Sequence, residues 1–197
     1  TPDEMAGLAV FLASDASSVN TVVFNGNLYG DNTDGRAAVE AIKERMDLRG
    51  KRVLIIGLGG AVRPLAIEIR ESGGEVDFLS RNPEKSRLWA ESVGARLINS
   101  KEFRGIDYDV LVQGTPIGMG KEKEDLPIDE KLILPGKLVL EMIVSKEDTK
   151  FLQICRNKNC ICIEGREMFE RQAVLQRAIF LEGKSSAISS FCSDAHV

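Results

Sequence analysis

The 197-residue sequence contains one histidine, His196, and only four cysteines, Cys155, Cys160, Cys162 and Cys192. A metal site made from these side chains would need more ligands, and the histidine lies near the end of the chain. Because Cys160 and Cys162 occupy a hydrophobic strand-like run, alternation directs both sulfurs to one face. We therefore expect buried, reduced thiols of a cytoplasmic protein, and no metal centre.

Three other features are missing from the sequence. No apolar run approaches the roughly 20 residues that span a bilayer, the start lacks a signal-peptide profile, and Lys and Arg form no dense block. The net charge is −4, with 43% hydrophobic and 28% charged residues, as in an ordinary globular protein. The expected partner is a small-molecule substrate, with no nucleic acid and no membrane, for a monomer or homodimer.

Apolar strand-like runs alternate with helical segments from Lys51 onward. The strands are RVLIIG, EVDFLS, a short run near 95–98, YDVLVQ, KLVLEM and CICIE, and the helices are 61–72, one starting at Asn82-Pro83, one near 147–156, and 165–182. This order predicts an α/β fold with a Rossmann-like, doubly wound, mostly parallel sheet. Before it come a helix opening at Thr1, a hairpin with an Asn25-Gly26 type I′ turn, and a helix over 35–46.

A glycine-rich turn, IIGLGGAVRP, joins the first regular strand to a helix. Gly57, Gly59 and Gly60, followed by Ala61, let the backbone turn tightly and approach a pyrophosphate at the helix N-terminus. Val62 stands where a third glycine would complete the GxGxxG pattern. The strand–turn–helix context nevertheless predicts dinucleotide binding.

The end of the next strand indicates which dinucleotide is bound. NAD enzymes usually carry Asp or Glu there, whereas this chain has Ser80, Arg81 and Asn82, followed closely by Lys85. No carboxylate would repel a 2′-phosphate, and Arg81 offers it a planar fork of donors. We therefore predict NADP as the cofactor.

The stretch LYGDNTDGRAAV places Asp31, Asn32, Thr33 and Asp34 at the mouth of a helix. Such residues commonly cap the free amides of a first helical turn. They are also the side chains of a polar substrate site, and the stretch alone leaves both interpretations open.

Six ordered motifs resemble shikimate dehydrogenase and its quinate/shikimate relatives: VNTVV, LYGDNTDG, IGLGGAVRPLA, SRNPEK, GTPIGM and GREMFERQA. The resemblance covers roughly residues 19–183. It implies an NADP-dependent oxidoreductase that interconverts 3-dehydroshikimate and shikimate in aromatic amino-acid (chorismate) biosynthesis.

The resemblance also implies roles for particular residues. Asp34 would transfer a proton together with a lysine, and Asn20 and Gln172 would hydrogen-bond the hydroxyls of the substrate ring. The residues that would flank the nicotinamide are Gly165 and the loop of Thr115, Pro116, Ile117, Gly118 and Met119.

The chain departs from the family pattern at several points. The family's catalytic lysine precedes the VNT motif in an N-terminal substrate domain, and residues 1–42 contain no lysine. Gln113 stands where the family usually has Asn, and Val144 where it has Tyr. The expected division is a substrate-domain remnant and hinge over 1–46, an NADP-binding domain over 47–164, a cleft-closing helix over 165–183, and a flexible tail over 184–197.

Three interpretations stay open on these grounds. The chain is the cofactor part of a shikimate dehydrogenase, whose turnover the truncation impairs, or a non-catalytic NADP-binding module. The third is a dehydrogenase of quinate or another cyclic polyol, for which Gln113 and Val144 leave room.

Overall fold

The computed structural model describes residues 19–24, 28–120 and 125–182, with the backbone alone for Phe24, Leu28, Tyr29, Lys85 and Glu182. The elements within these ranges, in chain order, are β1 Thr21–Phe24, β2 Leu28–Asp31, α1 Thr33–Lys43, β3 Arg52–Ile56, α2 Val62–Glu71, β4 Glu75–Ser80, α3 Arg87–Ser92, β5 Arg96–Asn99, β6 Val110–Gln113, β7 Leu138–Glu141, α4 Lys150–Asn157, β8 Ile161–Ile163 and α5 Gly165–Glu182. The helix predicted at Thr1, the Asn25-Gly26 turn and the tail over 184–197 lie outside the described residues.

Six strands form one parallel sheet in the order β5-β4-β3-β6-β7-β8. The strand order reverses between β3 and β6, which pair from Val53 with Val110 to Ile56 with Gln113. Crossovers therefore leave in opposite directions from this point, and a crevice opens beyond the carboxyl ends of the two strands. The predicted Rossmann-like fold is confirmed.

Both faces of the sheet are covered, as the apolar strand runs predict. Along β3, Val53 and Ile55 join the core under α1, α2 and α5, while Leu54 and Ile56 join the core under α4. Among the described residues no helix is long and apolar enough to cross a membrane.

The predicted hairpin is present as two antiparallel strands, in which Thr21 pairs with Asp31 and Phe24 with Leu28. The helix predicted from Asn82-Pro83 begins differently. Pro83 has a φ of −63°, which suits a first turn, but residues 84–86 form a 3₁₀ turn before α3 starts at Arg87.

Helix α1 packs against α2 at a point where only glycine fits. A Cβ on Gly35 would lie 2.7 Å from the carbonyl carbon of Pro64 and 2.9 Å from the amide nitrogen of Leu65. Because both atoms belong to backbone, no side chain can move aside. Gly35 thus seats the start of α1, immediately after Asp34, on the start of α2.

We expect Gly35→Ala to lower the free energy of unfolding by about 1–3 kcal/mol, because α1 must move off α2. Chemical denaturation measures this directly. The matched control is Gly59→Ala, whose Cβ would meet nothing within 4 Å, and which should stay within about 0.5 kcal/mol of the original chain. Equal stability of the two variants would contradict the close packing.

Candidate active site

The cap of α1 is provided by Asn32. Its Oδ1 accepts hydrogen bonds from the backbone N–H groups of Asp34, at 2.9 Å, and Gly35, at 3.2 Å. Asp31 Oδ1 accepts a hydrogen bond from the backbone N–H of Asn32 at 2.7 Å, and Asp31 Oδ2 lies 3.6 Å from Arg36 Nη2. The cap therefore uses the side chain of Asn32 and leaves the Asp34 carboxylate available for other contacts.

Asp34 is held instead by Asn20, which the resemblance placed in the same site. Asn20 Nδ2 donates to Asp34 Oδ1 at 2.8 Å and to Thr33 Oγ1 at 3.1 Å. Burial raises the pKa of the half-buried Asp34 carboxyl, and the hydrogen bond from Asn20 opposes that rise. The two predicted residues thus form one hydrogen-bonded pair beside the hairpin.

Gln172 lies half-buried on α5, one turn after the buried Met168. Within the part of the chain that the structure describes, its side-chain amide makes no hydrogen bond. One turn further, Gln176 Nε2 donates to Thr21 Oγ1 at 3.0 Å. The face of α5 that carries both glutamines therefore turns toward the hairpin. Gln176 lies outside the motifs, and the four-residue spacing of the glutamines was the signal available for it. Thr21 belongs to the VNTVV motif, but no role was predicted for it.

A cleft of about 850 Å³ opens at the carboxyl ends of β3, β4 and β6. Seven of the residues predicted to bind the cofactor line it, namely Gly57, Gly59, Ser80, Arg81, Asn82, Thr115 and Pro116. Gly57 has a φ of +96°, and a Cβ there would lie 2.8 Å from Thr115 Cγ2. The glycine turn and the loop after β6 therefore approach closely at the sheet's switch point.

The glycine turn leaves unfilled space above its backbone. A Cβ on Gly59 or Gly60 would meet no atom within 4 Å, so the packing of the described residues does not require glycine there. Ala61 precedes α2 without capping it through a side chain. The turn and the helix start thus form a cradle whose backbone a phosphate group can approach.

Val62, which replaces the third glycine of the motif, packs against Gly114, the residue that directly follows β6. A Cβ on Gly114 would lie 2.1 Å from Val62 Cγ1. The close approach of α2 to the sheet, which a third glycine usually permits, is here permitted by Gly114. The imperfect motif is consistent with an intact turn.

The end of β4 combines a buried hydroxyl with an exposed cation. Ser80 Oγ accepts from the N–H of Asn82 at 3.2 Å, and Arg81 is exposed at the rim of the cleft. No ion pair of Arg81 is found among the described residues, although Asp129 and Glu130 also line the cleft. Lys85 has its backbone in the 3₁₀ turn at residues 84–86.

Gln113 shapes the loop that follows β6. Its buried side chain donates from Nε2 to Ile117 O at 2.8 Å, and its Oε1 accepts from the N–H and the hydroxyl of Thr115 at 3.1 and 3.0 Å. The glutamine thus orders the TPIGM loop. Gly118 follows with a φ of +104°, and Met119 is half exposed.

Gly165 starts α5 directly against the segment that follows β7. A Cβ there would lie 2.2 Å from Ile143 O, which explains the need for glycine. Val144, in place of the family's tyrosine, is 51% exposed and offers no hydroxyl. It lines a hollow of about 380 Å³ together with Gly118 and Met119.

Glu141 is a fully buried carboxyl at the end of β7. Thr149, the N-cap of α4, lies with its hydroxyl 2.9 Å from both carboxylate oxygens. Burial raises the pKa of Glu141 to about 7. Between about pH 4.5 and pH 7, the native state therefore keeps a proton on Glu141 that the unfolded chain has lost.

We expect the original chain to lose stability relative to Glu141→Gln as the pH rises from about 4.5 to 7. The contribution of Glu141 is complete below its unfolded pKa and is lost as the pH rises through its folded value. The difference should grow by on the order of 1 kcal/mol per pH unit. Denaturation of both chains across this range measures it, and a constant difference would contradict the protonated state.

The comparisons with known proteins agree with the motifs. No family model matches the chain. A shikimate dehydrogenase (NADP(+)) of Methanothermobacter thermautotrophicus is 30% identical over 183 residues, covering 87% of this chain and 63% of the relative. The chain is therefore similar in sequence to shikimate dehydrogenases. It spans less than two thirds of the length of that curated relative.

Two solved structures with different names share the architecture of this chain. The structure of shikimate 5-dehydrogenase from Thermus thermophilus, in complex with NADP(H) and shikimate, has a TM-score of 0.75 at 27% identity and covers 88% of this chain and 69% of that one. A 5-ketofructose reductase of Gluconobacter has a TM-score of 0.74 at 27% identity, covering 86% and 64%. One architecture therefore serves relatives with different named substrates.

Proposed function

We propose that the chain is part of an NADP-dependent oxidoreductase of the shikimate dehydrogenase type, interconverting 3-dehydroshikimate and shikimate. The observation that carries the proposal is the placement of Asp34. Its carboxylate is not used by the helix cap, is held by Asn20, and precedes the glycine that seats α1 on α2. A proton-transfer group thereby stands on the helix that packs against the start of the cofactor helix.

Asp34 is suited to exchange a proton with a substrate hydroxyl. Burial raises the pKa of Asp34 toward the pH at which the reaction takes place. A proton-transfer group is most effective when its pKa lies near that pH. As the alcohol is oxidised, the hydroxyl proton leaves toward the carboxylate while the carbon gives up a hydride. Bound NADP supplies the acceptor of that hydride, and in reverse its donor.

Substrate recognition is assigned to amides. Both Nδ2 hydrogens of Asn20 are donated within the protein, one to Asp34 Oδ1 and one to Thr33 Oγ1. The main role of Asn20 is therefore to hold the Asp34 carboxylate. Gln172 makes no hydrogen bond within the described ranges, and its amide can both donate to and accept from a ring hydroxyl. A direct contact between Asn20 and substrate stays a prediction.

Residues that line the cleft or lie next to it would hold NADP. The backbone N–H groups at Gly59 and Gly60 would donate hydrogen bonds to the pyrophosphate. They are accessible because the space that a Cβ would fill is open at both residues. Arg81 would bind the 2′-phosphate with its guanidinium fork, next to Ser80 and Asn82. Thr115, Pro116, Gly118, Met119 and Gly165 are the residues assigned to the nicotinamide end.

The test is reduction of NADP⁺ by the purified chain in the presence of shikimate, followed through the absorbance of NADPH. Binding of NADP⁺ is titrated separately on the same preparation. Reduction that requires both compounds supports the proposal. NADP⁺ binding without reduction would overturn it and favour a non-catalytic NADP-binding module.

A second candidate is oxidation of a different polyol. Val144 provides no hydroxyl where the family has tyrosine, and the structurally similar 5-ketofructose reductase shows that this architecture serves another substrate. Quinate with NADP⁺, and 5-ketofructose with NADPH, are therefore run in parallel. A higher kcat/KM on either than on shikimate would select this candidate.

A further inference from the structure

A continuous chain of hydrogen bonds links α5 to Asp34. Gln176 Nε2 donates to Thr21 Oγ1 at 3.0 Å, and the Thr21 hydroxyl donates to Asn20 Oδ1 at 2.8 Å. Asn20 Nδ2 then donates to Asp34 Oδ1 at 2.8 Å. Helix α5, whose Gln176 lies 155 residues after Thr21, is thereby linked through Thr21 and Asn20 to the Asp34 carboxylate.

The direction of each bond follows from its partners. Gln176 Nε2 also lies 3.5 Å from the backbone oxygen of Asn20, which can only accept, so the amide nitrogen of Gln176 faces the hairpin. Because Thr21 Oγ1 receives that donor, its single proton is directed to Asn20 Oδ1. Asn20 must then present its nitrogen, not its oxygen, to Asp34.

We propose that Thr21 and Gln176 are positioning residues that fix the Asn20 carboxamide, and through it the Asp34 carboxylate, in the orientation for proton transfer. The proposal rests on the proposed function of Asp34. It goes beyond that function because neither residue belongs to the predicted site. Thr21 is only 2% exposed, so water cannot readily replace its hydroxyl as the donor to Asn20.

The Thr33 N–H group also donates to Asn20 Oδ1, at 3.1 Å. Breaking the link from α5 should therefore weaken the bond to Asp34 without abolishing it. The contribution of one neutral hydrogen bond corresponds to roughly a 3- to 10-fold change in an equilibrium or a rate. The link is thus a second restraint on an amide that α1 already holds.

The test uses Gln176→Met and Thr21→Val, which remove the hydrogen bond at its two ends. Thr21→Ser is the rescue variant, because it keeps the hydroxyl. Gln153→Met is the matched control, since Gln153 is exposed on α4 and its amide donates to Asp148 O. Unfolding free energies of all four variants show whether each remains folded.

The first readout needs no substrate. In ¹³C NMR titrations of the ligand-free chain, the pKa of Asp34 should shift upward in Gln176→Met and Thr21→Val. It should stay unchanged in Thr21→Ser and Gln153→Met. An Asp34 pKa that is the same in all variants would overturn the proposal, whatever the activity of the chain.

The second readout is turnover of shikimate with NADP⁺. Gln176→Met and Thr21→Val should lower kcat about 3- to 10-fold with little change in KM, because they act on proton transfer rather than on binding. An increase in KM alone would contradict positioning. A chain without turnover would instead count against the proposed function, while the NMR titration would still decide whether the link orients Asp34.

Discussion

Replacement of Asp34 by asparagine should lower the rate of shikimate oxidation about 10²–10⁴-fold, the usual contribution of a proton-transfer group. The substitution keeps the size of the side chain and removes its capacity to take a proton. Asn32 caps the helix independently of the Asp34 side chain, so α1 should stay folded. The measurement is kcat/KM with NADP⁺ in saturating amount.

The matched control for this prediction is Asp47→Asn. The Asp47 side chain is exposed to solvent, and hydrogen bonds from Arg49 lower its pKa to about 2. The control removes the same charge and should leave kcat/KM unchanged. Equal activities of Asp34→Asn and the original chain would remove Asp34 from the mechanism.

Replacement of Arg81 by aspartate should reverse the cofactor preference from NADP(H) to NAD(H). A charge-assisted hydrogen bond contributes about 1.5–3 kcal/mol, so loss of the guanidinium fork should weaken NADPH binding about 10- to 100-fold. The new carboxylate would repel a 2′-phosphate and accept a hydrogen bond from the 2′-hydroxyl of NADH. Titrations of both nucleotides measure the ratio of the two dissociation constants.

Arg87→Asp is the control for this effect of charge. Arg87 is exposed at the start of α3, a few residues beyond Arg81, so its replacement makes the same change in net charge. It should lower NADPH affinity only slightly and leave NADPH preferred. A similar loss in both variants would indicate a general electrostatic effect instead of recognition of the phosphate by Arg81.

The sheet and its main helices could be predicted because their signals are local. Apolar runs separated by helical segments gave the six parallel strands, and α5 was predicted over the residues 165–182 that it occupies. The glycine-rich turn was recognised for the same reason, since its strand, turn and helix are contiguous. The helix bounds were less exact: α1 occupies Thr33–Lys43 where residues 35–46 were predicted, and α4 begins at Lys150 instead of near residue 147. The start of α3 shifted because a 3₁₀ turn precedes it.

The sequence could not show which residue of the polar run caps α1 and which one is bonded by Asn20. Asn32, Thr33 and Asp34 are all suitable caps, and the choice depends on where Asn20, fourteen residues before Asp34, places its amide. The link through Gln176 depends on a contact across more than 150 residues. Helical periodicity places Gln176 on the same face as Gln172, but it carries no information about the residue that Gln176 contacts.

The roles of glycine also needed the fold. Gly35 and Gly165 meet backbone atoms of other elements, whereas Gly59 and Gly60 face open space. The sequence alone does not show which of these four glycines a neighbouring element requires. The structure separates glycines that permit packing from glycines that leave a cradle for a ligand.

The account is tested most directly by isotope transfer. Shikimate that carries deuterium on the carbon to be oxidised is incubated with the 197-residue chain and NADP⁺, and the nucleotide is analysed by mass spectrometry. Direct hydride transfer predicts that one deuterium appears in NADPH and that Asp34→Asn slows its appearance. Bound NADP⁺ that remains unreduced, or NADPH formed without deuterium, would contradict the account.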